Sequence, residues 1–296
     1  MGKFLHTGRN ELRLIVSKGL ARISHRKKIV NDSYPVYEYE PAGGEGVDAY
    51  ILSSGIKINH TEFEGRASWG ITIPPNDIDD DVDGYGTHCA GIVGSRKYGV
   101  AKAVNFIAVK VLGPHGSGSN SDVIAGVLWS AERAAAKLAA AKAEYAATGR
   151  TDHKGSIAGM PIGGGRSLVI NRVVNKAVDS GLLIAVGAGS DGDACYSSPA
   201  SAEKAVTAGA SNILDEMCTW SGWGQCVDVF APGEYYHSLS QNPFSDPSLH
   251  RSRHYLHLYR KRYCQYHLVR LLHILCPHHR SPRILPLYLP IRILQS

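Results

Sequence analysis

Two neighbouring clusters of side chains have the composition of a ligand-binding or catalytic site. The run Asp77–Asp83 contains five aspartates in seven residues, and its charge alone is that of a cation site. A solvated acidic loop is the favoured interpretation of this run. Tyr85 and His88 follow within five residues. A neutral imidazole can accept a proton near pH 7, whereas a phenol, with an ordinary pKa of about 10, is a poor base for a serine hydroxyl.

The segments around these residues alternate between predicted strands and helices. Short apolar runs bounded by glycine are typical of buried parallel strands. They lie at residues 47–52, 106–112, 182–188 and 226–231. Strand, helix and strand in this rhythm predict an α/β fold, in which a parallel β-sheet has helices on its faces.

Two helices are predicted between these strands. The first begins near Ser121-Asp122, a good N-cap pair, and continues through the alanine-rich stretch 131–147 to a stop at Gly149. The second spans residues 167–180. Its apolar residues, which fall on roughly one stripe, are Leu168, Val169, Val173, Val174 and Val178.

Composition divides the chain into unequal parts. The 296 residues are 44% hydrophobic and 20% charged, which allows a sizeable core and excludes collagen, coiled coil and general disorder. The net charge of +6 comes from residues 234–296, which hold nine Lys or Arg against two acids, eight of the 14 histidines, and no glycine or alanine. Out-of-frame or intron-derived translation is the favoured interpretation of this tail. A disordered basic tail and a nucleic-acid arm are the alternatives.

The N-terminus and the cysteines give weaker signals. Residues 1–18 lack the continuous apolar stretch of a secretory signal, because Arg9, Glu11 and Arg13 interrupt it. The sequence also contains no run near the roughly 18 apolar residues that a membrane span needs. Cys195 and Cys226 are candidates for a disulfide, but their pairing stays open at this point.

Eight segments form an ordered and specific pattern. They are Gly19-Leu-Ala-Arg-Ile-Ser-His-Arg, Phe63-Glu-Gly-Arg-Ala-Ser-Trp-Gly, Gly86-Thr-His-Cys-Ala-Gly, Tyr98-Gly-Val-Ala-Lys, Val109-Lys-Val-Leu, Gly116-Ser-Gly-Ser, Ser198-Pro-Ala-Ser-Ala-Glu-Lys-Ala-Val-Thr-Ala-Gly-Ala-Ser and Gly224-Gln-Cys-Val-Asp-Val-Phe-Ala-Pro-Gly. Together they resemble the subtilisin-like serine proteases, specifically the proteinase K branch and its fungal vacuolar members of the cerevisin type. The resemblance implies a subtilisin-like three-layer fold, incomplete at the C-terminus. It divides the chain into an unassigned segment 1–18, a partial peptidase domain 19–233 and a non-homologous tail 234–296.

The resemblance implies a catalytic Asp, His and Ser, in which the Asp orients the His and the His takes the proton of the Ser. The Asp position falls on Ser53, which carries no charge to stabilise an imidazolium. Asp48 lies five residues earlier on the same predicted strand, and this odd offset directs it to the opposite face. The His position falls on Tyr85, and His88 matches a second, packed histidine of the family. The alternative is that His88 has taken over as the base.

The remaining catalytic positions also differ from the family pattern. Ser190 stands where the family has an Asn that donates to the oxyanion, and its hydroxyl has a shorter reach. Nothing after Gly233 matches the Gly-Thr-Ser-Met-Ala segment of the nucleophile, and we assign no role to Ser238, Ser240 or Ser245. Because triad residues act as a unit, we expect no proteolysis by this mechanism.

Parts of a substrate cleft match the family better. Ser117-Gly118-Ser119 resembles the edge strand that pairs with an extended polypeptide, and Gly163-Gly164 resembles the facing wall. Pro161 has no N–H to donate, which weakens a ladder at that residue. The alternative is that these glycines only form turns.

The resemblance also implies a metal and partners. Asp228 matches an aspartate that helps to hold calcium in proteinase K relatives, although a solvated carboxylate is the favoured interpretation. We expect no required cofactor, a polypeptide ligand in the cleft, no nucleic-acid or membrane partner, and a monomer. The family is vacuolar or secreted, and the localisation of this chain stays open.

Three interpretations follow: an active endopeptidase, a peptide-binding pseudoprotease, and the product of a decayed or misread gene. The family's Ser-bearing helix runs through the middle of the domain, and losing it would expose several Leu-sized side chains, each worth roughly 1.5–3 kcal/mol. Since domains are stable by only about 5–15 kcal/mol, the sequence favours a truncated, catalytically inactive homologue.

Overall fold

The computed structural model describes residues 4–6, 12–15, 18–25, 28, 36–190, 192–233 and 238–239. Its strands are β1 Phe4–His6, β2 Leu12–Ile15, β3 Val36–Tyr39, β4 Val47–Ser53, β5 Ala67–Thr72, β6 Asn105–Lys110, β7 Gly155–Met160, β8 Gly164–Gly165, β9 Leu183–Gly187, β10 Gly192–Asp193, β11 Ser197–Ser198, β12 Val206–Ser211, β13 Gly222–Trp223 and β14 Val229–Pro232. Its helices are α1 Lys18–Ser24, α2 Tyr85–Gly94, α3 Asn120–Thr148 and α4 Leu168–Asp179, with short 3₁₀ helices at Thr61–Phe63 and Ala194–Tyr196.

Seven strands form one sheet in the order β14-β12-β9-β7-β4-β6-β5. Every neighbouring pair is parallel. Strand β4 is buried at all seven of its residues, because β6 and β7 flank its edges and helices cover both of its faces. The predicted α/β class with a parallel sheet is confirmed. A separate antiparallel sheet joins β1, β2 and β3.

Side chains of β4 alternate between two hydrophobic clusters, one on each face of the sheet. Tyr50 and Leu52 pack with residues of α3 and α4, whereas Ala49 and Ile51 pack with residues of α2. This period of two follows from the pleat of an extended strand. It places Ser53, the last residue of β4, on the face that α2 covers.

Helix α3 is set by local signals at both ends. Ser119 caps its N-terminus: its hydroxyl accepts from the backbone N–H of Asp122, whose carboxylate accepts from the backbone N–H of Ser119. The predicted N-cap at Ser121-Asp122 is therefore wrong by two residues. The helix stops at Gly149, as predicted, where a φ of 70° suits a residue without Cβ.

Helix α4 begins after Ser167, whose hydroxyl accepts from the backbone N–H of Ile170. Its buried face is formed by Ile170, Asn171, Val174 and Ala177. The apolar stripe predicted for this helix is wrong at its start, because Leu168 and Val169 are 60% and 58% exposed.

A disulfide joins two cysteines that are 31 positions apart in the chain. Cys195 and Cys226 are bonded, with Cα atoms 5.3 Å apart, which decides the pairing that the sequence left open. Within the described ranges, no helix has the length and apolarity required to cross a bilayer.

Candidate active site

Ser53 ends β4, and the resemblance to the family predicts that it stands at the position of the catalytic Asp. Its side chain is fully buried, and among the described residues its hydroxyl has no hydrogen-bond partner. Its carbonyl accepts from the backbone N–H groups of Val111 and Leu112, so the backbone is firmly held. The next residue, Ser54, donates to a carboxylate oxygen of Asp81 at 2.8 Å. An orphaned buried hydroxyl is costly, and an uncharged serine cannot supply the negative charge that stabilises an imidazolium.

A buried carboxylate, Asp81, positions the N-terminus of α2. One oxygen accepts from the backbone N–H of Gly84 at 2.9 Å and from Ser54, and the other accepts from the N–H and the hydroxyl of Thr87 at 2.8 and 2.5 Å. An anion at a helix N-terminus also interacts favourably with the helix dipole. The helix further needs Gly86, because a Cβ there would lie 1.9 Å from the carbonyl oxygen of Gly55. Tyr85, the first residue of α2, is thereby fixed relative to β4.

Two lysines form ion pairs with the acidic run Asp77–Asp83. The fully buried Lys110 donates to a carboxylate oxygen of Asp77 at 3.0 Å and to the carbonyls of Ile78 and Asp80 at 3.3 and 2.8 Å. Lys57 pairs with the carboxylate of Asp80 at 2.9 Å. The interpretation of this run as a solvated loop is therefore wrong for Asp77 and for Asp81. Among the described residues, no group of three or more His, Cys, Asp or Glu side chains could hold a metal ion.

A cavity of about 360 Å³ lies beside Tyr85, at the carboxyl ends of β7 and β9. It is lined by Tyr85, Pro161, Ile162, Gly163, Gly164, Gly187, Gly189, Ser190, Ser197 and Trp220. The hydroxyl of Tyr85 donates to the carbonyl oxygen of Pro161 at 2.8 Å. A Cβ built on Gly163 or Gly164 would meet no atom within 4 Å, so these glycines leave open space in the wall. Open parallel sheets commonly bind ligands at this end of their strands.

The structure brings some of the predicted site residues together and separates others. Tyr85, Ser190, Gly163 and Gly164 line one cavity, whereas the segment 117–119 is exposed and is not among its lining residues. Within that segment, the hydroxyl of Ser119 serves as the cap of α3. Ser197 and Trp220 line the cavity without having been singled out in the sequence. No local signal marks them. Ser197 reaches the cavity through the pairing of β11 with β8, and Trp220 lies in a turn next to Ser221, which pairs with Ser190.

His88 lies in α2 and is not among the residues that line the cavity. Burial lowers the pKa of its imidazole to about 4, while a hydrogen bond with the backbone of Leu239 opposes this shift. The hydroxyl of Ser238 donates to the main-chain carbonyl of His88 at 2.7 Å and is thus not directed at the ring. A base with this pKa is too weak to activate a hydroxyl efficiently.

Acid is expected to destabilise the protein through His88. The pKa of this residue is about 4 in the folded state and about 6.5 in the unfolded chain, so the unfolded state binds more protons between these values. Stability is therefore complete above pH 6.5 and falls as the pH approaches 4, by about 2–3 kcal/mol at pH 4.5. Burial lowers the pKa of His60 and His153 as well, which adds to the effect in the same direction.

Urea unfolding at pH 7.0, 5.5 and 4.5 measures this loss. The variant His88→Gln should flatten the dependence on pH, whereas the control His115→Gln, at an exposed residue, should follow the wild type. An unchanged pH dependence in His88→Gln would contradict the assignment.

Asp48 and Asp228 have partners outside the cavity. Asp48 is buried on the opposite face of the sheet from Ser53, where it pairs with Lys137 of α3 and accepts from the side chain of Asn105. Asp228 is exposed, and one of its oxygens accepts from the backbone N–H of Thr207 at 2.7 Å. A calcium ion at Asp228 would need further oxygen ligands from the backbone, so it stays a prediction.

Comparisons with known proteins agree with this geometry. The model of the subtilase family matches residues 44–262. The subtilisin-like serine protease Pen c 2 of Penicillium citrinum is 53% identical over 216 residues, which cover 73% of this chain and 46% of that protein. The subtilisin-like proteinase Spm1 of Pyricularia oryzae is 51% identical over 216 residues, covering 73% and 40%. The chain therefore spans less than half the length of these two relatives.

A solved structure extends the comparison to the fold. The crystal structure of a cold adapted subtilisin-like serine proteinase superposes with a TM-score of 0.64 at 33% identity, covering 87% of this chain and 90% of that one. The resemblance read from the eight sequence segments and the subtilisin-like fold are both confirmed. This chain belongs to the subtilase family.

Proposed function

We propose that this subtilase homologue binds an extended polypeptide in the cavity beside Tyr85 and does not hydrolyse it through a Ser-His-Asp triad. The observation that carries the proposal is the lining of the cavity. Among the described residues, it is lined by three hydroxyls, from Tyr85, Ser190 and Ser197, and by four glycines, and by no imidazole and no carboxylate. Such a wall can bind a polypeptide backbone but offers no general base.

The preserved scaffold supports binding. The seven-stranded sheet, the capped N-terminus of α2 and the pairing of β8 with β11 hold the cavity walls on regular elements. Gly163 and Gly164 are exposed and need no positive φ. Their own backbone conformation does not require glycine, and they differ from the neighbouring Gly165 in lining the cavity, where the missing side chains leave room for a ligand.

Two residues support the absence of hydrolysis. Ser53 provides a buried uncharged hydroxyl where the family has an aspartate, and Tyr85 provides a phenol where it has a histidine. Ser190 can still donate one hydrogen bond near a bound carbonyl, which would aid binding. The alternative function is that of an active endopeptidase, as membership of the family implies.

A binding assay and an activity assay with casein, an unstructured polypeptide, separate these alternatives. Anisotropy of fluorescein-labelled casein should show saturable binding, while casein hydrolysis and labelling by a serine-directed phosphonate should stay at background. Gly163→Val should weaken binding about tenfold or more by filling the cavity wall. The matched control Gly165→Val adds the same side chain in open space outside the lining and should change the Kd less than twofold.

Each result has a defined meaning. Hydrolysis together with phosphonate labelling would establish the endopeptidase and overturn the proposal. Binding that is lost equally in Gly163→Val and Gly165→Val would place the ligand elsewhere on the protein. No saturable binding in any of the three proteins would end the proposal altogether.

A further inference from the structure

The side chain of Tyr85, which lines the cavity, contacts two separate parts of the protein. Its ring packs against the hydrophobic cluster that contains Leu20, Tyr37 and Ile92, on the side of α2. Its hydroxyl reaches across to the carbonyl of Pro161, which directly follows β7. These two residues are 76 positions apart in sequence. One side chain therefore ties the first turn of α2 to the start of the segment that carries Gly163 and Gly164.

The carbonyl oxygen of Pro161, which accepts from Tyr85, is also an acceptor for the N–H of a bound peptide. An extended peptide pairs with a protein edge through alternating N–H and carbonyl groups. Pro161 has no N–H, so its carbonyl is the one main-chain group with which this residue can pair. A carbonyl oxygen can accept two hydrogen bonds. The phenol of Tyr85 already uses one of these two directions at 2.8 Å, and both residues line the cavity, so a peptide N–H that approaches this oxygen from the cavity competes with the phenol.

We propose that the Tyr85–Pro161 hydrogen bond closes one end of the cleft, so that an extended polypeptide must displace the Tyr85 hydroxyl to pair with the segment 161–164. Tyr85 is then a residue that regulates access, in addition to replacing a histidine. The inference rests on the proposed function, because it concerns the same cavity. It predicts that the wild-type protein binds less tightly than its cleft allows.

The variant Tyr85→Phe tests this directly. Phenylalanine keeps the ring and its packing but removes the hydroxyl, which frees the Pro161 carbonyl. Since a neutral hydrogen bond contributes about 0.5–1.5 kcal/mol, the Kd for fluorescein-labelled casein should fall about 2- to 12-fold. Tyr196→Phe is the matched control, because Tyr196 is 73% exposed and does not line the cavity, and its Kd should equal that of the wild type.

The outcomes separate this inference from the proposed function. Saturable binding by the wild type together with tighter binding by Tyr85→Phe, and unchanged binding by Tyr196→Phe, supports it. Equal binding by the wild type and Tyr85→Phe overturns the inference and leaves the proposed function intact. If neither protein binds casein, both fail. Circular dichroism and a thermal melt of Tyr85→Phe verify that a difference in Kd does not arise from misfolding.

Discussion

Replacing Lys110 by methionine is expected to lower the free energy of unfolding by about 3–5 kcal/mol. The ammonium of Lys110 is fully buried and pairs with Asp77, whose side chain is only 10% exposed. Methionine fills a similar volume but leaves the buried carboxylate of Asp77 with the backbone N–H of Ile78 as its donor and with no positive charge beside it. It also removes the Lys110 donor from the carbonyls of Ile78 and Asp80. An unpaired buried charge is one of the few changes that destabilise a domain to this extent.

Urea unfolding followed by tryptophan fluorescence measures the effect at neutral pH. Lys142→Met, at an exposed position of α3, is the matched control and should change stability by less than about 0.5 kcal/mol. The double variant Lys110→Met with Asp77→Asn should recover part of the lost stability, because it also removes the buried negative charge of Asp77. A loss below about 1 kcal/mol in Lys110→Met would show that the loop 77–83 does not depend on this pair.

The second large effect is expected for Asp81→Ala, which should cost about 3–4 kcal/mol. The buried carboxylate of Asp81 accepts four hydrogen bonds, and alanine leaves the donors of Ser54, Gly84 and Thr87 unsatisfied next to β4. It also removes the anion from the N-terminus of α2. Because α2 carries Tyr85, casein binding should change together with stability.

Two substitutions calibrate this result. Asp81→Asn keeps one oxygen acceptor and should lose about half as much free energy of unfolding as Asp81→Ala. Asp79→Ala removes an exposed carboxylate that accepts from Thr72, and it should cost less than about 1 kcal/mol. If Asp79→Ala and Asp81→Ala were equally destabilising, the capping role assigned to Asp81 would be wrong.

The fold was predictable where the signals are local or periodic. The C-terminus of α3 followed from Gly149, and β4 followed from a mostly apolar run that Asp48 alone interrupts. The strands β7 and β12 were not predicted, because their glycine, alanine and serine residues have low intrinsic preference for strands. They are strands because neighbouring strands provide hydrogen bonds on both edges. Tertiary context overrides propensity in such segments.

The candidate site was predictable in its parts but not in its contacts. Family motifs indicated Ser53, Tyr85, Ser190, Gly163 and Gly164. Four of these residues line one cavity, while Ser53 is buried under α2, where its hydroxyl has no partner within the part of the chain that the structure describes. That the catalytic positions no longer form a working triad stays a prediction, which the casein and phosphonate assays decide.

Two described residues beyond the predicted boundary at Gly233 make contacts that the sequence did not predict. Ser238 and Leu239 are 9% and 6% exposed, and Ser238 donates to the carbonyl of His88, 150 residues earlier. A Cβ at Gly91 would lie 2.5 Å from the Ser238 hydroxyl oxygen, so α2 is shaped to receive this segment. The family match likewise continues past Gly233 to residue 262. The division of the chain at this residue stays a prediction, and residues 240–296 lie outside the described residues.

The sequence by itself determined the family and the α/β class, because both are carried by ordered motifs or by short-range patterns. It also predicts which residues stand at the catalytic positions. Only the tertiary structure decided that Lys110 neutralises Asp77, that Asp81 caps α2, and that Tyr85 closes on Pro161. The first and last of these contacts join residues 33 and 76 positions apart. Their partners are selected by the burial of charge and by the geometry of the sheet, and no local pattern of residues encodes either.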